Sequence, residues 1–160
     1  MESLGHDAGS RQHGGRLAFT WTLQHAGWAE CRVEDDRGAA TAHVSYLTPA
    51  PEDLLTAVTR LVQGATAERV RFFAEPDGFR WLFARDGDQV GIRLLHLPQD
   101  TGPGAAVAWT SRTSVDALSR AVLRAFDQVA FEHTEDGYRE RWRRSFPRRE
   151  LEALRAARRP

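Results

Sequence analysis

Hydrophobic and polar residues alternate along seven short segments of this sequence, and each alternating segment predicts a β-strand with one buried face. Phe19, Trp21 and Leu23 alternate with alanine and threonine in the first segment. In the last segment we assign both Val107 and Trp109 to the buried face. The first three strands form one group along the sequence and the last four another. Short connections separate the strands within each group, which favours antiparallel pairing. The predicted strands are Leu17–Leu23, Trp28–Asp35, Ala40–Tyr46, Val70–Ala74, Phe79–Phe83, Val90–Leu94 and Ala105–Thr110.

Two longer segments carry apolar residues at the i, i+3, i+4 spacing of an amphipathic helix. The first helix begins near Pro51 and stops at Gly64. The second begins after a capping Thr113 or Ser114, and Asp136-Gly137 breaks or ends it. The apolar stripes consist of Leu54, Leu55, Val58, Leu61 and Val62 in the first helix and Val115, Leu118, Val122, Phe126 and Val129 in the second.

The order of these elements predicts an α+β fold. We expect an antiparallel sheet of about seven strands in the order βββα-ββββα, with the helices packed on one face. Residues 1–15 read as a disordered leader, residues 16–134 as a single α+β domain, and residues 135–160 as a basic helical tail docked on that domain. The last helical piece of the tail is expected to start near Pro147.

Composition limits the class of protein. The chain has 160 residues, of which 41% are hydrophobic, and such a chain can bury a core without a cofactor. All 22 basic residues are arginine, which suggests a GC-rich bacterial genome.

The single Cys31 excludes an intramolecular disulfide and a multi-cysteine zinc site. No apolar run has the length of a membrane span, and the start of the chain lacks the apolar stretch of a signal peptide. We therefore expect a bacterial cytoplasmic protein with no membrane contact.

Catalytic motifs are missing from the sequence. The four histidines beyond the leader show no metal-binding spacing, no serine lies in a nucleophile elbow, and no glycine-rich phosphate loop is present. We therefore do not expect an enzyme, although one arrangement of residues leaves a ligand-binding site as an alternative. In it, Trp81 and Trp109 line a pocket in which Arg80 or Arg93 holds an anion. The alternative for both tryptophans is the hydrophobic core.

Acidic residues concentrate on the second predicted strand and the turn after it. Glu30 and Glu34 share the polar face of the strand, and Asp35 and Asp36 follow in the turn. Trp28 opens the strand on the same face, out of phase with the core, so that it is a candidate contact for a partner. This surface would suit a basic partner. Ordinary turn chemistry also accounts for the two aspartates.

The C-terminal tail has the most uneven charge. From Arg139 to Pro160 there are nine arginines and three glutamates, a balance of +6. Basic residues interleaved with Trp142 and Phe146 are typical of a surface that holds phosphates and stacks bases. Docking of the aromatic residues on the sheet and binding of an acidic protein are the alternatives. The candidate basic residues are Arg139, Arg141, Arg143, Arg144, Arg148 and Arg149.

Three stretches of the chain resemble a group of small α+β proteins from high-GC bacteria. They are FTWTLQHAGWAECRVEDD (Phe19–Asp36), EDLLTAVTRLV (Glu52–Val62) and EHTEDGYRERW with FPRRELEALR (Glu132–Arg155). No activity comes with that group. In size and element order the chain is also similar to immunity proteins that neutralise toxins, a likeness that implies an interaction role without fixing it.

Together these features favour a non-enzymatic protein-interaction module of an immunity or regulatory type, with another protein as the partner. The first alternative is an accessory protein that binds nucleic acid through the arginine-rich tail. The second is a small-ligand binder or enzyme with a Trp-lined pocket. An exposed edge strand would also allow a homodimer.

Overall fold

The computed structural model describes residues 16–99 and 104–160, so the predicted leader of residues 1–15 lies outside the described residues. Within these ranges the chain forms seven strands and three helices: seven strands and two helices follow the predicted βββα-ββββα order, and the third helix is C-terminal. The strands are β1 (Ala18–Leu23), β2 (Trp28–Glu34), β3 (Ala39–Ser45), β4 (Ala67–Phe73), β5 (Gly78–Asp86), β6 (Gln89–Leu97) and β7 (Ala106–Ser114). The helices are α1 (Ala50–Val62), α2 (Val115–Trp142) and α3 (Arg148–Ala157).

The seven antiparallel strands divide into two sheets instead of the one sheet that we expected. The first sheet has the order β1-β2-β3 and the second has the order β4-β5-β6-β7. Helix α1 separates β3 from β4 in sequence, and Pro49 and Pro51 at its start have no N–H to offer a strand ladder. Strand β3 is the edge of the first sheet and β4 the edge of the second, so the division between the sheets falls at α1.

The inner faces of both sheets follow the alternation of the sequence. In β1 the buried side chains are Phe19, Trp21 and Leu23, and in β5 every second residue from Phe79 to Phe83 is buried. The outward residues between them are exposed or half-buried. Because a strand turns successive side chains to opposite faces, this pattern places the core between the two sheets and the helices.

A β-bulge between β6 and β7 changes which side chains of β7 face the core. Trp109 lies opposite Leu94 and is buried, as predicted, but the register shifts between Leu94 and Leu95 so that Val107 lies opposite Leu95. An extra residue in one strand reverses the side-chain alternation beyond it. Val107 is therefore on the outer face, 54% exposed, and its assignment to the core was wrong.

Helix α1 begins at the predicted prolines and buries its predicted stripe except for Val62, which is half-buried. Glu52 and Asp53 lie in its first turn, at the positive end of the helix dipole. Leu54, Leu55 and Leu61 are fully buried, and the helix packs against β4, α2 and α3. It thereby joins the second sheet to the C-terminal part of the chain.

Helix α2 is interrupted by one residue with non-helical backbone angles. Ser114 caps the helix, because its side-chain oxygen accepts a hydrogen bond from the N–H of Ala117 at 2.9 Å. The backbone leaves helical geometry at Thr134 (φ 56°, ψ 167°), slightly before the Asp136-Gly137 position that we expected. The Thr134 hydroxyl then accepts from the N–H of Gly137 at 3.2 Å, so that it caps the renewed helix.

The core is a network of aromatic rings around Trp21. Its indole lies 5.9 Å from Phe72 of the second sheet and 5.3 Å from Phe126 of α2, measured between ring centroids. The ring of Trp142, at the end of α2, lies 5.6 Å away in an edge-on arrangement. Such pairs add about 0.5–1.5 kcal/mol each beyond the area they bury. Trp21 therefore links both sheets with the C-terminal part of the chain.

Gly27 joins three segments at the end of the first sheet. Its N–H donates to the carbonyl of Arg141 at 2.9 Å, and its carbonyl accepts from the N–H of Tyr46 at 2.9 Å. Its φ is +82°, and a Cβ at this position would lie 2.4 Å from Cδ1 of Tyr46. Only glycine satisfies both the conformation and the close approach.

Candidate interaction surface

The tail packs into the body of the protein. Tyr138, Trp142 and Phe146 are buried, and Leu151 and Leu154 join the same hydrophobic cluster as the sheets. Trp142 is 0% exposed and Phe146 is 6% exposed. The aromatic rings that would stack on bases are therefore inside the core. The tail of residues 135–160 supplies part of the core of residues 16–134.

Most tail arginines contact the chain itself. Arg141 donates to the carbonyl of Gln24 at 3.0 Å, and Arg144 donates to the carbonyl of Tyr46 at 2.6 Å. Arg143 lies over the Tyr46 ring, 5.7 Å from its centroid. Arg148 pairs with Glu135 and Glu152, each at 3.0 Å.

The last turns of the chain continue this pattern. Arg155 forms a two-point pair with Asp127, with distances of 2.7 and 3.2 Å, and Arg158 reaches Asp116 at 2.8 Å. Arg139 and Arg149 remain exposed and form no ion pair with a described residue. Three carboxylates from outside the segment Arg139–Pro160, those of Glu135, Asp127 and Asp116, pair with tail arginines and offset part of its +6 charge, while Arg141 and Arg144 are held by backbone carbonyls.

The acidic region is also occupied by local contacts. Glu30 accepts hydrogen bonds from Gln24 and His43, both at 3.1 Å, and Glu34 lies 3.5 Å from Arg32. Trp28, on the same outer face of the first sheet, is half-buried. The sheet brings Trp28, Glu30 and Glu34 to one face, where the carboxylate of Glu30 is already hydrogen-bonded and that of Glu34 lies near a guanidinium.

Asp35 and Asp36 have separate roles in the turn between β2 and β3. One oxygen of Asp35 accepts from the N–H groups of Arg37 and Gly38 at 2.9 and 3.1 Å. Its other oxygen accepts from the hydroxyl of Ser111 in β7 at 2.5 Å, which ties the turn to the second sheet. Asp36 is exposed and lies 3.5 Å from Arg16. Asp35 therefore has a structural role.

The proposed Trp-lined pocket is divided by the second sheet. Trp81 is 0% exposed and stacks on Phe83 with 6.1 Å between ring centroids. Arg80 and Arg93 occupy strand positions that alternate with the buried ones, so their side chains lie on the outer face of the sheet, opposite to Trp81. Trp109 faces inward and its indole N–H donates to the carbonyl of Gly38 at 3.2 Å. Neither arginine can therefore reach an anion held between the two tryptophans.

A cleft of about 440 Å³ lies where the tail meets the start of α1. Burial raises the pKa of the Glu52 carboxyl, and the nearby carboxylate of Glu150 adds to the effect while Arg144 opposes it. Burial also raises the pKa of the Tyr138 hydroxyl. Guanidinium and carboxyl groups are mixed in this cleft, so it selects no ligand of one charge. Its lining residues are Glu52, Arg144, Ser145, Phe146, Arg148, Arg149 and Glu150.

Nucleophilic and metal chemistry find no support in the described residues. Cys31 is buried in β2, and desolvation raises the pKa of its thiol to about 12, so the reactive thiolate is suppressed. No group of three or more His, Cys, Asp or Glu side chains in residues 16–99 and 104–160 could hold a metal ion. In the same ranges, no helix has the length and apolar character needed to cross a membrane.

The outer face of the second sheet carries a row of arginines that the sequence alone did not reveal. Arg69 of β4, Arg80 of β5, Arg93 of β6 and Arg112 of β7 all occupy outward positions, one on each strand. We call these four residues the arginine belt. None of them forms an ion pair with another residue in the part of the chain that the structure describes.

Register places the members of the arginine belt next to one another. Arg80 lies opposite Leu95, two residues along β6 from Arg93, and Arg93 lies opposite Thr110, two residues along β7 from Arg112. Such diagonal neighbours are roughly 7–8 Å apart between Cα atoms. Like charges at neighbouring positions repel one another, more weakly where water surrounds them. The belt therefore concentrates positive charge on this face.

Apolar side chains lie between and beside these arginines. Leu82 stands between Arg69 and Arg93 across the strands, and Leu95 and Val107 continue the row that starts at Arg80. Leu82 and Leu95 are half-buried, and Val107 is exposed. Having many arginines and few acidic residues is a feature of protein–protein interfaces, and the aliphatic side chains add apolar area to this face.

Sequence reasoning missed this surface because its members are distant in the chain. Arg80 and Arg93 were selected, but as the anion-binding wall of an inner pocket. Alternation alone would have assigned Arg69, Arg80 and Arg93 to polar faces, but their grouping depends on strand order and register, and the place of Val107 beside them depends on the bulge in β7.

The chain matches no model of a known protein family, and searches of curated proteins and of solved structures found no similar chain.

Proposed function

We propose that this protein is a non-enzymatic interaction module that binds another protein through the outer face of β4–β7. The observation that carries this proposal is the combination of the arginine belt, which forms no ion pair with a described residue, with Leu82, Leu95 and the exposed Val107 on one four-stranded face. An immunity-type or regulatory role in the bacterial cytoplasm is the form of this function that agrees with the resemblance and the composition.

The occupied tail supports the same choice of surface. Arg141, Arg144 and Arg148 each make hydrogen bonds within the chain, and Trp142 is buried. A partner that used these groups would have to compete with bonds that hold the fold together. The outer face of the second sheet offers charges that a partner can bind without breaking such bonds.

Site-specific crosslinking tests this proposal. A photo-crosslinker is attached to cysteine in T110C, on the proposed face, and in T20C, on the outer face of the first sheet. Because Cys31 is fully buried, the label is directed to the introduced cysteine. In nuclease-treated extract of the native cells, T110C should capture one discrete protein that T20C does not. Equal products from both positions, or none from T110C, would contradict the proposal.

A further inference from the structure

We propose that the partner presents an extended acidic segment to the arginine belt, with successive carboxylates bound by successive arginines. This inference rests on the interaction role proposed above and specifies the chemistry of the partner. The outward positions of β4–β7 carry Arg71 in addition to the belt, and their one acidic residue is Asp86, at the end of β5. Among the described strand positions of this face there are thus five arginines and one aspartate, and an acidic partner would complement this excess of positive charge.

The spacing of the belt fits a strand of alternating acidic residues. Side chains on one face of an extended chain are about 7 Å apart, since each residue adds about 3.3 Å and every second residue points the same way. The diagonal neighbours Arg80, Arg93 and Arg112 follow one another at roughly 7–8 Å. One carboxylate can therefore bind each guanidinium in turn, with the two-point geometry that arginine favours.

The apolar residues beside the belt favour a protein over a nucleic acid. A single strand of nucleic acid could also match the charge spacing, but its bases bind by stacking on aromatic rings. The outward positions of β4–β7 hold one aromatic residue, Phe73, at the end of β4. Leu82, Leu95 and Val107 instead provide aliphatic contacts, which side chains of a protein segment would cover.

Binding of defined probes by the full chain tests this inference. The probes are a fluorescent ten-residue peptide of alternating Glu and Thr, its Gln–Thr counterpart, and an oligothymidylate of twelve nucleotides, with anisotropy as the readout. We expect the Glu peptide to bind and to weaken as salt rises from about 50 to about 200 mM, because the contact is electrostatic. The Gln peptide should not bind.

Matched arginine variants locate the contact. R80Q and R93Q should each weaken binding of the Glu peptide by roughly fivefold, the loss typical of one charge-assisted hydrogen-bonded pair. R139Q and R149Q remove exposed arginines from the tail and should leave the affinity within about twofold, since surface charges away from the site act weakly. Circular dichroism checks that all four variants are folded.

Three outcomes would overturn the inference: no binding of the Glu peptide, equal weakening by the tail variants, or tighter binding of the oligothymidylate. The proposed function fails separately. If T110C captures a protein that has no acidic segment at the crosslink, the interaction role stands and the acidic partner does not.

Discussion

The indole of Trp142 packs edge-on against the indole of Trp21, with 5.6 Å between the ring centroids and 77° between the ring planes. This contact joins the end of α2 to the first strand of the fold. Both residues are buried, at 0% and 4% exposure, so the pair lies within the core. The basic tail is thus a structural part of the domain as well as a carrier of charge.

Replacing Trp142 should destabilise the fold strongly. We expect W142A to lower the free energy of unfolding by about 3–5 kcal/mol, because the substitution leaves a large cavity beside Trp21. F131A, which truncates an aromatic residue of the same helix at 84% exposure, should change the free energy by less than about 0.5 kcal/mol. Urea unfolding monitored by circular dichroism compares the two. Similar losses in both variants would contradict the packing seen here.

Truncation at Thr134 should abolish cooperative folding. The shortened chain loses five buried side chains of the hydrophobic cluster, and the faces of β1 and α1 that they cover would be exposed to water. A control chain that ends at Arg158 loses only the exposed Arg159 and Pro160 and should unfold like the full chain. Near-ultraviolet circular dichroism and thermal unfolding measure the difference. A cooperative transition in the Thr134 truncation would show that the tail is dispensable. The five side chains are Tyr138, Trp142, Phe146, Leu151 and Leu154.

The neighbouring aspartates of the β2–β3 turn should differ in their effect on stability. We expect D35A to cost about 1–3 kcal/mol, because it removes the acceptor for two backbone N–H groups and for the hydroxyl of Ser111. D36A removes an exposed carboxylate whose contact is with Arg16 and should cost less than about 1 kcal/mol. Urea unfolding of both variants at neutral pH provides the comparison, and equal losses would refute the assignment of Asp35.

Cys31 should be unreactive in the folded protein. Its thiol is 1% exposed and desolvation raises its pKa to about 12, so almost no thiolate is present or accessible near pH 8. We expect modification by a thiol reagent such as DTNB only after unfolding in urea. Modification of the folded chain at the rate of a free thiol would contradict the buried position, with T20C as the reactive reference.

Protonation of Glu52 should raise the free energy of unfolding as the pH falls from neutral. Because burial raises the pKa of its carboxyl, the folded state binds a proton more tightly than the unfolded state does. Its contribution therefore rises as pH falls through the folded pKa and levels off below the ordinary value of 4.5. E52Q mimics the protonated group, so its stability advantage over the wild type should be largest at pH 7 and shrink toward pH 4.5. An advantage that grows on acidification would contradict this sign.

Local chemistry was sufficient to predict the elements. The alternation of Phe19, Trp21 and Leu23, the helical stripe from Leu54 to Leu61, and the capping Ser114 each act over a few residues, so their consequences can be read from the sequence. The α+β class and the order of strands and helices were confirmed for this reason.

Features that depend on contacts between distant segments were not predicted. The division into two sheets depends on which strands pair, and the outward turn of Val107 depends on a bulge in the β6–β7 ladder. The position of the break in α2 was a separate, local error: it was expected at Asp136-Gly137, because glycine is the stronger local signal, but the backbone leaves helical geometry at Thr134, whose hydroxyl caps the following turn.

The sequence by itself determined which residues are apolar, where strands and helices begin, and that the chain has charges in excess at its C-terminus. Only the tertiary structure decided which charges are available to a partner. Several arginines of the tail, such as Arg144 and Arg155, bind carbonyls or carboxylates of the folded body, whereas the arginine belt forms no ion pair within residues 16–99 and 104–160. Charge adds along the sequence, but pairing requires two groups to lie within a few ångströms, and that proximity arises only when the chain folds.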